Sequence, residues 1–188
     1  MTTTLHRTAP RDPATELPAR LSLTPATTLV GQLDGAWWPR SSDLEAELPA
    51  LAAALDETWG RITRVTVNPT RWPAVPRTVA MAGRVLHVGW FTEQDPDKLI
   101  LLSYTVGRWD LLVVPPETAP AAAARLMTAA SIPGSVLTAG VLMANEAVIG
   151  HAARRREAAW EDEGGACMPT LGDPFGRSAL ALSANGWR

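Results

Sequence analysis

The sequence predicts an α+β domain: a mixed or mainly antiparallel sheet of about five strands with helices packed on one face. Three observations lead there. Residues 98–104 and 108–116 are near-continuous apolar runs around Val106-Gly107, as in a hairpin whose strands are covered on both sides and lie centrally. Leu44, Leu48, Leu51 and Leu55 recur at helical spacing. Residues 117–130 are alanine-rich, helical by propensity, and followed by the Pro133-Gly134 stop.

The elements follow in order. Residues 1–19 carry prolines at 10, 13 and 18 without apolar periodicity and read as a disordered leader. Leu21 and Leu23 alternate with Ser22, as in a half-buried strand. Residues 29–33 run into Leu33-Asp34-Gly35-Ala36-Trp37-Trp38-Pro39-Arg40. Neighbouring strand residues face opposite ways, so one indole enters a core while the other packs under another element or meets a ligand. Ser42 with Glu45, or Asp43 before Leu44, supplies a helix N-cap. Pro49 confines the regular part of helix Leu44–Trp59 to about residue 48 onward, and Gly60 ends it.

Ile62, Val65 and Val67 mark a strand, and Asn68-Pro69 with residues 72–76 an irregular loop. Residues 83–91 form another strand, with Leu86, Val88 and Trp90 on its core face and Val85, His87, Gly89 and Phe91 on the other. Gln94-Asp95-Pro96-Asp97 reads as a turn that needs no metal. Helix Pro120–Ala130 follows, and residues 136–163 form one or two more helices. There Arg154, Arg155 and Arg156 precede Glu161, Asp162 and Glu163 by about two turns. The expected organisation is a leader over 1–19, one domain over 20–163 and a flexible tail over 164–188.

Composition narrows the function classes. With 188 residues, 46% hydrophobic and 19% charged, the chain suits a single soluble domain. A net charge of −2 argues against a general nucleic-acid binder. No apolar run is long enough for a membrane span, and the N-terminal residues lack a signal-peptide apolar region, so a cytoplasmic protein is expected. Cys167 is the one cysteine, which excludes an intramolecular disulfide. The histidines are His6 in the leader, His151 near the tail and His87, alone firmly inside the predicted fold, so no three-histidine metal centre is expected. Phosphate-binding, dinucleotide-binding, zinc-protease and nucleophile-elbow signatures are all lacking, so no cofactor is expected.

Candidate ligand-binding residues come from three motifs. Asp34, Trp37, Trp38 and Arg40 combine an apolar wall with both charge signs, suited to stacking and to bidentate contact with an anion. Arg108, Trp109 and Asp110 repeat that combination on a strand, and Trp90 adds a third aromatic. A purely structural account stands beside each: Asp34-Gly35 turns the chain, one tryptophan anchors the core, Asp43 caps the helix, and Arg108 and Asp110 share a strand face on which they pair with neighbours across the sheet.

Taken together, Leu33-Asp34-Gly35-Ala36-Trp37-Trp38-Pro39-Arg40-Ser41, Asp43-Leu44 with Glu47-Leu48-Pro49 and Leu51, Gly89-Trp90-Phe91 with Gln94-Asp95-Pro96, and Asp110-Leu111-Leu112-Val113-Val114-Pro115-Pro116 resemble an actinobacterial domain family of unknown function. The resemblance covers about residues 20–130. It implies a small cytoplasmic protein and carries no activity, ligand or catalytic residue with it.

The leading expectation is a non-enzymatic binding or regulatory module. It would present a tryptophan-lined surface near Trp37, Trp38, Trp90 and Trp109 to a protein or small-molecule partner, and not to nucleic acid or a membrane. The alternative is a small hydrolase or transferase, with Asp34, Asp43, His87 or Asp110 as acid or base and Arg40 or Arg108 holding an anion. A third is RNA or ribosome association through Arg61, Arg64, Arg71 and the arginines at 154–156.

Overall fold

The computed structural model describes residues 17–26, 29–104 and 107–164, with side chains through Trp160. The chain divides between His151 and Ala152 into two units. Most of the expected leader and tail, and Cys167, lie outside the described residues.

The first unit is built on a seven-stranded mixed sheet. Its strands are β1 (Leu21–Leu23), β2 (Gly35–Trp37), β3 (Ile62–Val67), β4 (Thr78–Met81), β5 (Arg84–Trp90), β6 (Lys98–Ser103) and β7 (Arg108–Val113), in the order β1-β2-β7-β6-β3-β5-β4. Two neighbouring pairs, β2 with β7 and β3 with β5, are parallel, and the other four are antiparallel. The β6–β7 hairpin is central, as its apolar sequence implies.

Helix α1 (Leu44–Trp59) covers one face. Asp43 Oδ1 caps it by accepting the amides of Glu45 and Ala46 at 3.1 and 3.2 Å. Leu44, Leu48, Leu51 and Leu55 are all buried against Trp37, Val65, Leu99, Leu101 and Leu111. The helix is regular from Leu44, ahead of the start that Pro49 suggests. The cap and the burial of Leu44 and Leu48 offset the hydrogen bond that proline cannot donate. At the other end, Asp56 accepts the Ile62 amide at 2.9 Å and pairs with Arg84.

Helices lie on both faces of the sheet, not on one. Helix α2 (Pro120–Ala130) and the start of helix α3 (Ala139–Gly164) pack Ala123, Leu126, Ala130, Ala139 and Leu142 on Leu33, Ala36, Leu112 and Val114. Side-chain alternation dictates this: Leu111 faces α1, so its neighbour Leu112 must face the other layer. Within this unit, Arg125 of α2 pairs with Glu146 of α3.

Gly35 shows why a glycine starts β2. Its φ is +144°, and a Cβ there would lie 2.2 Å from the Ser22 carbonyl oxygen of the paired strand. The second unit, from Ala152, is described only as the continuation of α3 to Gly164. Among the described residues, no helix is long and apolar enough to cross a membrane.

Candidate functional site

The register Leu21↔Trp37 sets Arg20 beside Trp38 just beyond the paired ends of β1 and β2. The Trp38 amide donates to the Arg20 carbonyl at 2.9 Å. In return, Arg20 Nε donates to the Trp38 carbonyl at 2.9 Å, and Nη2 donates to that of Pro39. The guanidinium then lies 3.5 Å from the centre of the Trp38 ring, a cation–π contact. Burial, and next the charge of Arg40, lower the Arg20 pKa, while Glu47 pulls it back up.

Arg40 and Glu47 complete the site. Glu47 Oε2 accepts the Arg40 amide at 3.1 Å, and Oε1 accepts the Ser41 hydroxyl at 2.9 Å. The Arg40 side chain donates to the Pro18 carbonyl at 3.0 Å. Between them opens a cavity of about 170 Å³, whose lining includes Leu17, Arg20, Trp37, Trp38, Arg40 and Glu47. The two tryptophans divide as strand alternation requires. Trp37, 1% exposed, joins the α1 layer and stacks on Trp72 at 5.8 Å, whereas Trp38 packs against the α2 layer. The buried Trp38 Nε1 finds no acceptor among the described residues. Such a donor costs about 1–3 kcal/mol while unpaired.

A second cluster gathers Asp34, Arg108 and Asp110 with Lys98. Asp110 accepts from Arg108 at 2.8 and 2.9 Å and from Lys98 at 3.0 Å. Burial alone would raise the Asp110 pKa, but the hydrogen bonds from Arg108 and Lys98 outweigh it and hold the carboxylate below its ordinary range. Its hydrogen bonds to Asp110 raise the pKa of Arg108. Asp34 is shifted upward, chiefly by burial. Asp110 thus accepts from both neighbouring cations, while the Arg108 side chain stays 55% exposed.

The structure does not assemble one surface from Trp37, Trp38, Trp90 and Trp109. Trp109 stacks face to face on Trp59, with centroids 4.5 Å apart and planes within 7°. Trp90 is 43% exposed, with Arg77 6.0 Å from its ring, and it ends β5 rather than joining the core face. Strand β5 is four places from β2, roughly 19 Å across the sheet. Of the eight sequence-derived residues, Trp37, Trp38 and Arg40 share the cavity, and Asp34, Arg108 and Asp110 share the charged cluster.

The acid–base candidates are likewise spread out. Asp43 caps α1, His87 is exposed on β5 beside Arg61, Arg84 and Tyr104, and only Asp34 and Asp110 touch. Arg71 is engaged with buried Asp97, and Arg154, Arg155 and Arg156 belong to the second unit. Among the described residues, no three His, Cys, Asp or Glu side chains are grouped as metal ligands. Sequence reasoning missed Arg20 and Glu47 as site residues. Arg20 borders a proline-rich leader, and only its pairing with the tryptophan strand reveals its place.

A model of a family of unknown function, DUF5994, matches residues 20–130. The chain belongs to this family. The DUF5994 match runs from Arg20 of the cavity through the end of α2, and so includes both charged clusters. No curated protein and no solved structure matches the chain.

Proposed function

We propose that this DUF5994 domain is a binding module without chemistry of its own, and that its ligand is a small molecule bearing an anionic group, seated against Trp38. The observation that carries this is the convergence of Arg20, Arg40 and Trp38 on one cavity. Both arginines are cationic donors beside an indole ring, so the complementary ligand is an acceptor with negative charge. Glu47 lines the same cavity, but both its oxygens already accept bonds from Ser41 and the Arg40 amide. The dispersal of Asp43, His87, Asp34 and Asp110 supports binding over acid–base catalysis.

Native mass spectrometry of the protein purified gently from its own host tests this reading. A retained small molecule that disappears in Arg40→Ala, with the fold intact by circular dichroism, is the expected result. Retention of the same mass by Arg40→Ala and by Trp38→Phe would overturn it. So would turnover that depends on these residues.

A further inference from the structure

We infer that the outer face of β3 and β5 carries a second ligand site, which takes a phosphate monoester with its phosphate against Arg61 and His87 and its organic group against Val85 and Tyr104. A bulge in β3 builds the site. Ile62 stands opposite Ser103 of β6 but Arg64 stands opposite Leu102, so Thr63 is an extra residue. Ile62 and Val65 both enter the α1 core, and the two residues between them are turned out of it. The parallel register sets Arg64 beside His87 of β5, which alternates with the buried Leu86 and Val88. Helix α2 lies on β1, β2 and β7, away from this part of the sheet, where Arg64, Val85 and His87 stay exposed. Arg61, Thr63, Val85, His87 and Tyr104 line a depression of about 230 Å³ there.

Charge argues for an anion as the occupant. Arg71, Arg84, Arg108 and Arg125 each pair with a carboxylate. Among the described residues, Arg61 and Arg64 pair with none, and no Asp or Glu lines the depression. In a chain of net charge −2 this is a local excess of positive charge, and a hollow lined by one sign concentrates ions of the other. The donors decide the kind of anion. The Arg61 guanidinium comes from the approach to β3, the His87 imidazole from β5 and the Tyr104 phenol from the end of β6. Donors supplied by three strands suit the three free oxygens of a tetrahedral phosphate ester better than the two coplanar oxygens of a carboxylate. The depression is also larger than the Arg20–Arg40 cavity and has room for an organic group, to which Val85 and the Tyr104 ring offer exposed apolar surface.

Amide chemical-shift titration of the isotope-labelled full chain with phenyl phosphate tests this. The expected result is a saturable shift at Thr63, Arg64 and His87, half-complete at about millimolar ligand and weaker as salt rises. Inorganic phosphate should bind the same amides less tightly, and phenol should leave them unmoved. Arg61→Ala should weaken phenyl phosphate binding about tenfold or more, and Arg61→Lys, which keeps the charge but not the fork, should weaken it less. Circular dichroism confirms that both variants keep the fold. The inference is overturned by the absence of a saturable shift at these amides, by an equal response to phenol, by inorganic phosphate binding as tightly as the ester, or by an affinity indifferent to Arg61→Ala. Shifts confined to Trp38 and Arg40 would place the anion in the other cavity and overturn it too, while leaving the reading of that cavity intact.

Discussion

Asp34 and Asp110 are clamped together through one backbone and one side chain. Asp34 Oδ2 accepts the Asp110 amide at 2.8 Å, and the Asp34 amide donates to the Asp110 carbonyl at 2.7 Å. The Asp34 carbonyl meanwhile accepts the Thr24 amide at 2.9 Å. One residue thus ties the turn before β2 to β7 and to the chain leaving β1. Asp34→Ala would strand the Asp110 amide and should cost about 1–3 kcal/mol. Asp34→Asn keeps an acceptor and removes a partly buried charge, so it should be neutral or mildly stabilising near neutral pH. Urea unfolding of the two variants checks the contrast.

The same pair predicts opposite pH dependences. Asp34, raised by burial, holds a proton in the folded state that the unfolded chain has released, so it costs stability as pH climbs from the ordinary carboxylate range through its raised value. Asp110 is lowered because its bonds to Arg108 and Lys98 outweigh its burial. Its contribution is present above the ordinary carboxylate range and is lost as pH falls through its lowered value. Unfolding midpoints against pH should therefore show a shallower acid-side loss in Asp110→Asn. Asp34→Asn should gain on the parent above the ordinary range. An acid limb in Asp110→Asn as steep as the parent's would contradict this.

Glycine substitutions should separate by environment. Gly35→Ala meets the Ser22 carbonyl at 2.2 Å in a backbone conformation alien to L side chains, and should cost at least about 3 kcal/mol by breaking the β1–β2 pairing. Gly89→Ala meets nothing nearer than Thr66 Oγ1 at 3.8 Å, and should be neutral to about 1 kcal/mol stabilising. Thermal midpoints of the two variants decide the point. Equal losses would mean that the close strand approach at Gly35 is not a real constraint.

Trp59 and Trp109 couple the end of α1 to β7 by stacking. Either change to alanine should cost about 3–5 kcal/mol, and a double-mutant cycle should return about 0.5–1.5 kcal/mol of coupling. Trp90→Ala, at a half-exposed ring away from this stack, should cost far less. A zero coupling energy would reduce the stack to two independent burials.

Local repeats made α1, α2 and the β6–β7 hairpin legible in the sequence, because each writes its period into consecutive residues. Strand β4 was not legible: it is four residues long, and of these only Val79 is buried. The parallel pairings β2–β7 and β3–β5 join segments far apart in the chain, and no local period encodes such a register. That also hid the two-sided helix packing. At the site, the Trp37-Trp38 pair announced a split between layers, but its cationic partner Arg20 comes from a neighbouring strand. The tryptophans were legible as special residues, not as one surface, since each reports only its own strand.

The Asp95-Pro96-Asp97 turn holds two parts of the fold at once, and its loss should be felt at a distance. Asp95 Oδ1 accepts the Asp97 amide at 3.0 Å, while Oδ2 accepts the Gly140 amide at 2.9 Å in the first turn of α3. Asp97, buried, pairs with Arg71. Asp95 thus serves α3 as an N-terminal cap supplied from across the fold, with Thr138 Oγ1 accepting the Val141 amide beside it. Asp95→Ala should cost about 1–2 kcal/mol. Hydrogen exchange should quicken at Gly140 and Val141 while the β6–β7 amides stay protected, because the lost bond frees the helix start rather than the sheet. Asp95→Asn, which keeps an acceptor oxygen, should recover most of the protection. Unchanged exchange at Gly140 in Asp95→Ala would show that Thr138 alone caps the helix.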